Sequence, residues 1–249
     1  MDYFIQQSSF SVYFNKAEEI RRHIFDFEQS FTGRFIKPFQ LNSVADNAPS
    51  EIPRIIGLTQ DGSTTLQVSQ VSLTILEKIG GEKPKGWPEI CREFKEYISL
   101  AYSSLENNKI DSFLYAGLTL HIYFPMSDNE SVIDFLLEKF LSHSVISRPS
   151  DINVKFTFTE KNQYYYNYNL SNKIEYQPSG PAPRMIPAYL KASAFGLMLV
   201  LDINDRYAFN FNREYLSEKN EGLQILQRAD NLIQNRLSDM LESGKITHG

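Results

Sequence analysis

Apolar and polar residues alternate through SFSVYF at 9–14, and β-formers dominate there, so the pattern predicts a strand. The next stretch, NKAEEIRRHIFDFEQSF, changes period. Ile20, Ile24 and Phe27 or Phe31 recur at helical spacing, with Asn15 as the expected N-cap and Glu18 three residues on. FIKPFQLNSV (35–44) follows, then a break containing Pro and Ser, then PRIIGLTQ (53–60), an Asp61-Gly62 turn and TTLQVSQVSLTIL (64–76). Asp-Gly between two alternating segments signals a hairpin, because Gly accepts positive φ. Helical spacing returns from Trp87 to Leu105, with Pro88 suited to a first turn.

The second half runs in the same order. FLYAGLTLHIYF (113–124) reads as a strand, and SDNESVIDFLLEKFLSH as a helix capped at Ser127 or Asp128. Further strands are expected at 153–159, 163–170, about 185–192 and 194–203, with a short piece at YAFNF. One long helical pattern then runs from Glu214 to Ser243. Leu223, Leu226, Ile233, Leu237 and Met240 share a face, while Leu216, Ile225 and Leu232 read as lying outside it. A helix of about 30 residues measures roughly 45 Å, so part of it is expected to project or to pair with another subunit.

Two short echoes accompany this shared order. VYF at 12–14 and IYF at 122–124 each close a first strand, and Pro53-Arg54-Ile55-Ile56 recurs as Pro183-Arg184-Met185-Ile186. The expected fold is therefore α+β, with two similar β-α-β-β-β-α halves, 1–106 and 107–249. Their strands would form a joined or barrel-like, mostly antiparallel sheet with flanking helices. For Arg54 and Arg184 two readings stand: each lies over the sheet with its head in solvent, or the two form a pair gripping an anion or a partner's carboxylates.

Composition narrows the class. The 249 residues are 42% apolar and 22% charged, ordinary values for a folded globular chain. A formal charge of −5 disfavours nucleic acid as a partner, since phosphate binding is driven by Lys and Arg. The longest apolar run, AFGLMLVL, is far short of the roughly 20 residues of a membrane-spanning helix. MDYFIQQSSF has neither a basic n-region nor an apolar h-region, so the expectation is a cytoplasmic, soluble protein. Cys91 is the only cysteine, which rules out an intramolecular disulfide, and on a helix it reads as a small buried apolar residue.

Recognisable chemistry is sparse. His23, His121, His143 and His248 form no HxH, HxxxH or HExxH pattern, and no GxxxxGK[ST], GxGxxG or GxSxG occurs. His121, inside a strand, faces one side or the other. The acidic candidate is LDINDR: Asp202 and Asp205 at a strand end could hold Mg²⁺ for hydrolysis, although Asn-Asp is equally what a turn uses. No cofactor is expected. In KNQYYYNYNLSN, Tyr164, Tyr166 and Tyr168 share one strand face. They read either as a sheet face half covered by a helix or as an aromatic platform for a protein or planar ligand.

PRIIGLTQDGSTTLQVS, WPEICREFKEYI, LDIND and the closing helix together resemble, across nearly the whole chain, a sporadically distributed bacterial family of uncharacterised proteins. The resemblance transfers no catalytic residue, and sporadic distribution implies an accessory role such as defence or a mobile-element system. The expected function is a non-enzymatic interaction or regulatory module, an accessory subunit of a defence or toxin-control system with a protein partner or self-association. Arg54, Arg184, Tyr164, Tyr166 and Tyr168 are its candidate binding residues. The alternatives are a small-ligand sensor with a pocket between the halves and a metal-dependent hydrolase using Asp202 and Asp205.

Overall fold

The computed structural model describes residues 2–45, 47–80, 85–141, 147–178 and 190–246. The strands are β1 (Phe4–Phe14), β2 (Gln40–Leu41), β3 (Ile55–Leu58), β4 (Thr64–Val68), β5 (Ser72–Lys78), β6 (Phe113–Met126), β7 (Asn153–Glu160), β8 (Tyr164–Pro178) and β9 (Leu190–Asn204). The helices are α1 (Ile24–Ser30), α2 (Trp87–Asn107), α3 (Asn129–Leu136), α4 (Arg206–Phe211), α5 (Glu221–Asn235) and α6 (Leu237–Ser243).

All nine strands form one antiparallel sheet in the order β2-β3-β4-β5-β1-β6-β9-β8-β7. The fold is α+β, as the pattern predicts, but the sheet is open: β2 and β7 end it and do not meet, so it is not a barrel. Its middle is the long β1–β6 pair. Alternation sets the faces. On β1, Phe10, Val12 and Phe14 are buried, while Ser9, Ser11 and Tyr13 stay partly exposed on the other side.

The larger helices gather on the buried face, while α4 sets Tyr207 and Phe209 against Tyr165 and Tyr115 of the other face. α2 turns Ile90, Phe94, Ile98, Ala101 and Leu105 inward, and α5 does the same with Ile225, Leu226, Ala229, Leu232 and Ile233. The close approach of α5 depends on Gly222, where a Cβ would lie 2.7 Å from the Phe10 ring and 2.8 Å from Ile98. α3 packs Val132, Ile133 and Leu136 against β8 and β9. Asp128 caps it by accepting from the Ser131 backbone N–H at 2.7 Å, one of the two positions the sequence offers.

Several expectations are corrected. The predicted strand 64–76 is two strands, because Ser69 folds the chain back. Its backbone N–H donates to the Ser72 carbonyl, and its hydroxyl accepts from the N–H groups of Val71 and Ser72. Asn15 caps no helix: the chain first makes a 3₁₀ turn, Ile20–His23, and only then α1. YAFNF is helical, being most of α4. The closing segment is not one projecting rod. It starts at Glu221, because Ser217 bridges back to Phe113, and it breaks at Arg236 (φ −128°), so that Leu237, Met240 and Leu241 of α6 stay on the core. Ile225 and Leu232 belong to the buried face; of the three residues read as lying outside it, Leu216 is the exposed one. The strand expected at 185–192 lies largely outside the described residues.

Candidate functional site

Tyr164, Tyr166 and Tyr168 share a face of β8, and that face is the one under the helices. All three rings are at most 2% exposed, so they form core and not a contact platform. The Tyr164 hydroxyl donates to Glu221 of α5 at 2.5 Å, and the Tyr166 hydroxyl donates to Glu160 of β7 at 2.5 Å. Arg228 of α5 ties the pair together: its guanidinium sits 3.9 Å from the Tyr164 ring centroid and donates to Glu160 and to the Tyr166 hydroxyl. Burial, together with the Glu160 bond, pushes Tyr166 up to about 12. Against burial, the bonds from Tyr166 and Arg228 hold Glu160 below the usual carboxylate range. The network cements β7, β8 and α5.

Arg54 is also buried, at 1% exposed. Its guanidinium donates to the carbonyls of Ile52, Ala48 and Pro49, closing the loop ahead of β3. Its head is therefore neither in solvent nor free to grip an anion. Arg184 lies outside the described residues, as do His143 and His248. Cys91 is half-buried, and burial raises its thiol above the ordinary value, away from an activated nucleophile.

Asp202 and Asp205 take separate partners. Asp202 accepts from Thr119, Asn167 and Asn204. Asp205 is fully buried and accepts from the Ala116 N–H, the Tyr215 hydroxyl and the Ser217 hydroxyl, each at 2.6 Å. Among the described residues no group of three or more His, Cys, Asp or Glu could hold a metal ion. Millimolar Mg²⁺ is accordingly expected to leave the melting temperature unchanged; a rise of several degrees on a calorimetric scan would restore the metal reading, since ligand binding stabilises by RT ln(1 + [L]/Kd).

The residues that converge on open space lie on the opposite face of the sheet. Cross-strand pairing sets Lys78, Gln7, His121, Val200 and Asn169 in one row across β5, β1, β6, β9 and β8. The next row is Tyr123, Met198 and Ser171, and the one after it brings Lys173 opposite Gly196. Apart from Asn169, Tyr123 and Gly196, these residues line an open trough of about 600 Å³, together with Gln6 and Ile79. Gly196 is required here: a Cβ would stand 2.4 Å from the Tyr123 ring. Lys173 lies 5.5 Å from that ring's centroid and pairs with Glu175 at 3.1 Å, and Gln6 bonds both partners.

Three features of the trough and its surroundings are chemically distinctive. Burial, and then the neighbouring Lys173 charge, hold His121 below the ordinary histidine value, so it is neutral at pH 7. Outside its lining, the Asn169 side-chain oxygen and the Tyr123 hydroxyl are buried without a hydrogen-bond partner among the described residues. Lys78 is exposed at the rim. Sequence reasoning singled out His121 alone of this set, because residues 7, 78, 121, 169 and 200 have no local pattern and meet only through sheet order.

No family model, no curated protein and no solved structure matches this chain.

Proposed function

We propose that this protein is a binding and regulatory module that takes a small ligand in the trough on the sheet face opposite α2 and α5. The observation that carries the reading is the cavity itself. Its walls come from β1 and β5 on one side and from β6, β8 and β9 on the other, so it sits where two halves of the chain meet. A volume of about 600 Å³ with an apolar floor and a few converging polar groups is the usual form of a small-molecule site.

An internal duplication belongs to the same reading. From the middle of the sheet the order runs β1-β5-β4-β3 in one direction and β6-β9-β8-β7 in the other. Each first strand is followed by a helix, and each set of strands by a closing helix. A duplicated unit whose first strands pair about a pseudo-twofold accounts for this order and for the place of the trough across its axis.

The test fills the trough. A panel of small acids, amines and neutral compounds is scanned for thermal shifts with the native chain and with Val200→Trp. A ligand at ten times its Kd stabilises by about 1.4 kcal/mol, roughly 3–5 °C for a chain of this size. Shifts in the native protein that Val200→Trp abolishes are expected; shifts that survive the substitution, or none with any compound, sink the proposal.

Protein partnership is supported by a different surface. Phe211 is 70% exposed, with its ring 4.7 Å from that of Tyr207, and Leu216, in the segment after α4, is 55% exposed. Exposed aromatic area of this kind favours a contact surface at α4, in place of the buried tyrosines of β8.

A further inference from the structure

We infer, on the footing of the contact-surface reading at α4, that the occupant of that surface is a second copy of this chain, paired about a twofold axis through residues 211–216. The sequence there is FNREYL. From either end it offers the same chemistry: Phe211, Asn212 and Arg213 are answered by Leu216, Tyr215 and Glu214, so that an apolar residue, a polar one and a charge follow in each direction. A twofold axis between positions 213 and 214 therefore sets Phe211 of each copy against Leu216 of the other, and Arg213 of each against Glu214 of the other. An isologous interface requires this, the same patch on both subunits being complementary to itself.

Exposure and anchoring follow the same division. Phe211, Arg213, Glu214 and Leu216 are exposed, and neither charge has an ion-pair partner among the described residues. The residues between and beyond them hold the segment down. The hydroxyls of Tyr215 and Ser217 donate to the buried Asp205 carboxylate, Ser217 bridges to Phe113, and Asn212 accepts from the N–H groups of Glu214 and Tyr215. At the other end Phe211 packs on Tyr207, whose ring lies 5.2 Å from that of Tyr165 on β8. A surface already held in its bound shape loses little freedom on association, and an exposed aromatic at its centre is the kind of residue that dominates binding. The charges set the register. Moving the axis by half a position would face Arg213 with Arg213 or Glu214 with Glu214, and like charges in contact are disfavoured.

Sedimentation velocity of the whole chain over rising concentration tests this. The native protein is expected to pass from monomer to dimer. Phe211→Ser, at an exposed position, should weaken the dimer by about tenfold or more, the scale of an aromatic anchor. Arg213→Glu faces two carboxylates with each other at both sides of the axis and should weaken it by about tenfold as well. Combining Arg213→Glu with Glu214→Arg restores opposite charges and should recover the native affinity to within about threefold. Melting curves confirm that each variant folds. A dimer that survives Phe211→Ser, or one that the double reversal fails to recover, overturns the inference. So does a chain that stays monomeric at every concentration. The contact-surface reading is then decided separately, by whether another protein is retained on the native chain and lost from Phe211→Ser.

Discussion

The variant in which Tyr164, Tyr166 and Tyr168 all become Ser is expected to show no cooperative melting transition. Each ring is at most 2% exposed, and truncating one large buried aromatic costs about 3–5 kcal/mol through lost transfer energy and the cavity left behind. Three such losses, even if neighbouring sites do not add fully, approach or exceed the roughly 5–15 kcal/mol that holds a domain together. The damage extends to the polar network. Arg228 loses the ring it stacks on, and the buried Glu221 and the largely buried Glu160 each lose a 2.5 Å hydroxyl donor. Circular dichroism melts and a collapsed proton–nitrogen correlation spectrum check this. A folded triple variant that had merely stopped self-associating would return the tyrosines to the surface.

That expectation reverses one of the two readings that the alternation of β8 permits, and the reversal shows what a single strand can tell. Period-two spacing fixes that the three tyrosines share a face. It cannot fix which face α5 covers, since α5 begins more than 50 residues later and its seat depends on Gly222 against Phe10 and Ile98. Signals that are local fared well. β1, β6 and α2 lie where periodicity puts them, α2 running from Trp87 to Asn107, and Asp128 caps α3. Errors came where a side chain overrides the pattern, as Ser69 does by folding one apparent strand into two. They came also where tertiary packing breaks a continuous stripe, as at Arg236, so that α6 can follow the core. Arg54 belongs with these: nothing in Pro-Arg-x-Ile announces that its fork will close on the carbonyls of its own preceding loop. The trough was the least legible part, because its floor is a row perpendicular to the chain.

Asp205→Ala is expected to lower the melting temperature by about 6–12 °C. The carboxylate is fully buried and accepts three hydrogen bonds, so its removal strands the Ala116 N–H and the hydroxyls of Tyr215 and Ser217. Unpartnered buried donors cost about 1–3 kcal/mol each, and a loss of about 3 kcal/mol corresponds to that drop in a chain of this size. Asp205→Asn keeps the shape and probes the charge. Burial raises Asp205 above the ordinary carboxylate value of about 4, against the pull of its three donors. The folded state therefore binds this proton more tightly than the unfolded chain does. The resulting stability is fully present below about pH 4 and is lost as pH rises through the raised value. His121 works in the opposite direction, being lowered, and loses stability as pH falls through the histidine range. It is present in both proteins, so the difference between them isolates Asp205. The gap in melting temperature between the native chain and Asp205→Asn should widen as pH is taken from 7.5 to 5. A gap that stays constant or narrows would mean that the three donors hold Asp205 ionised in spite of its burial.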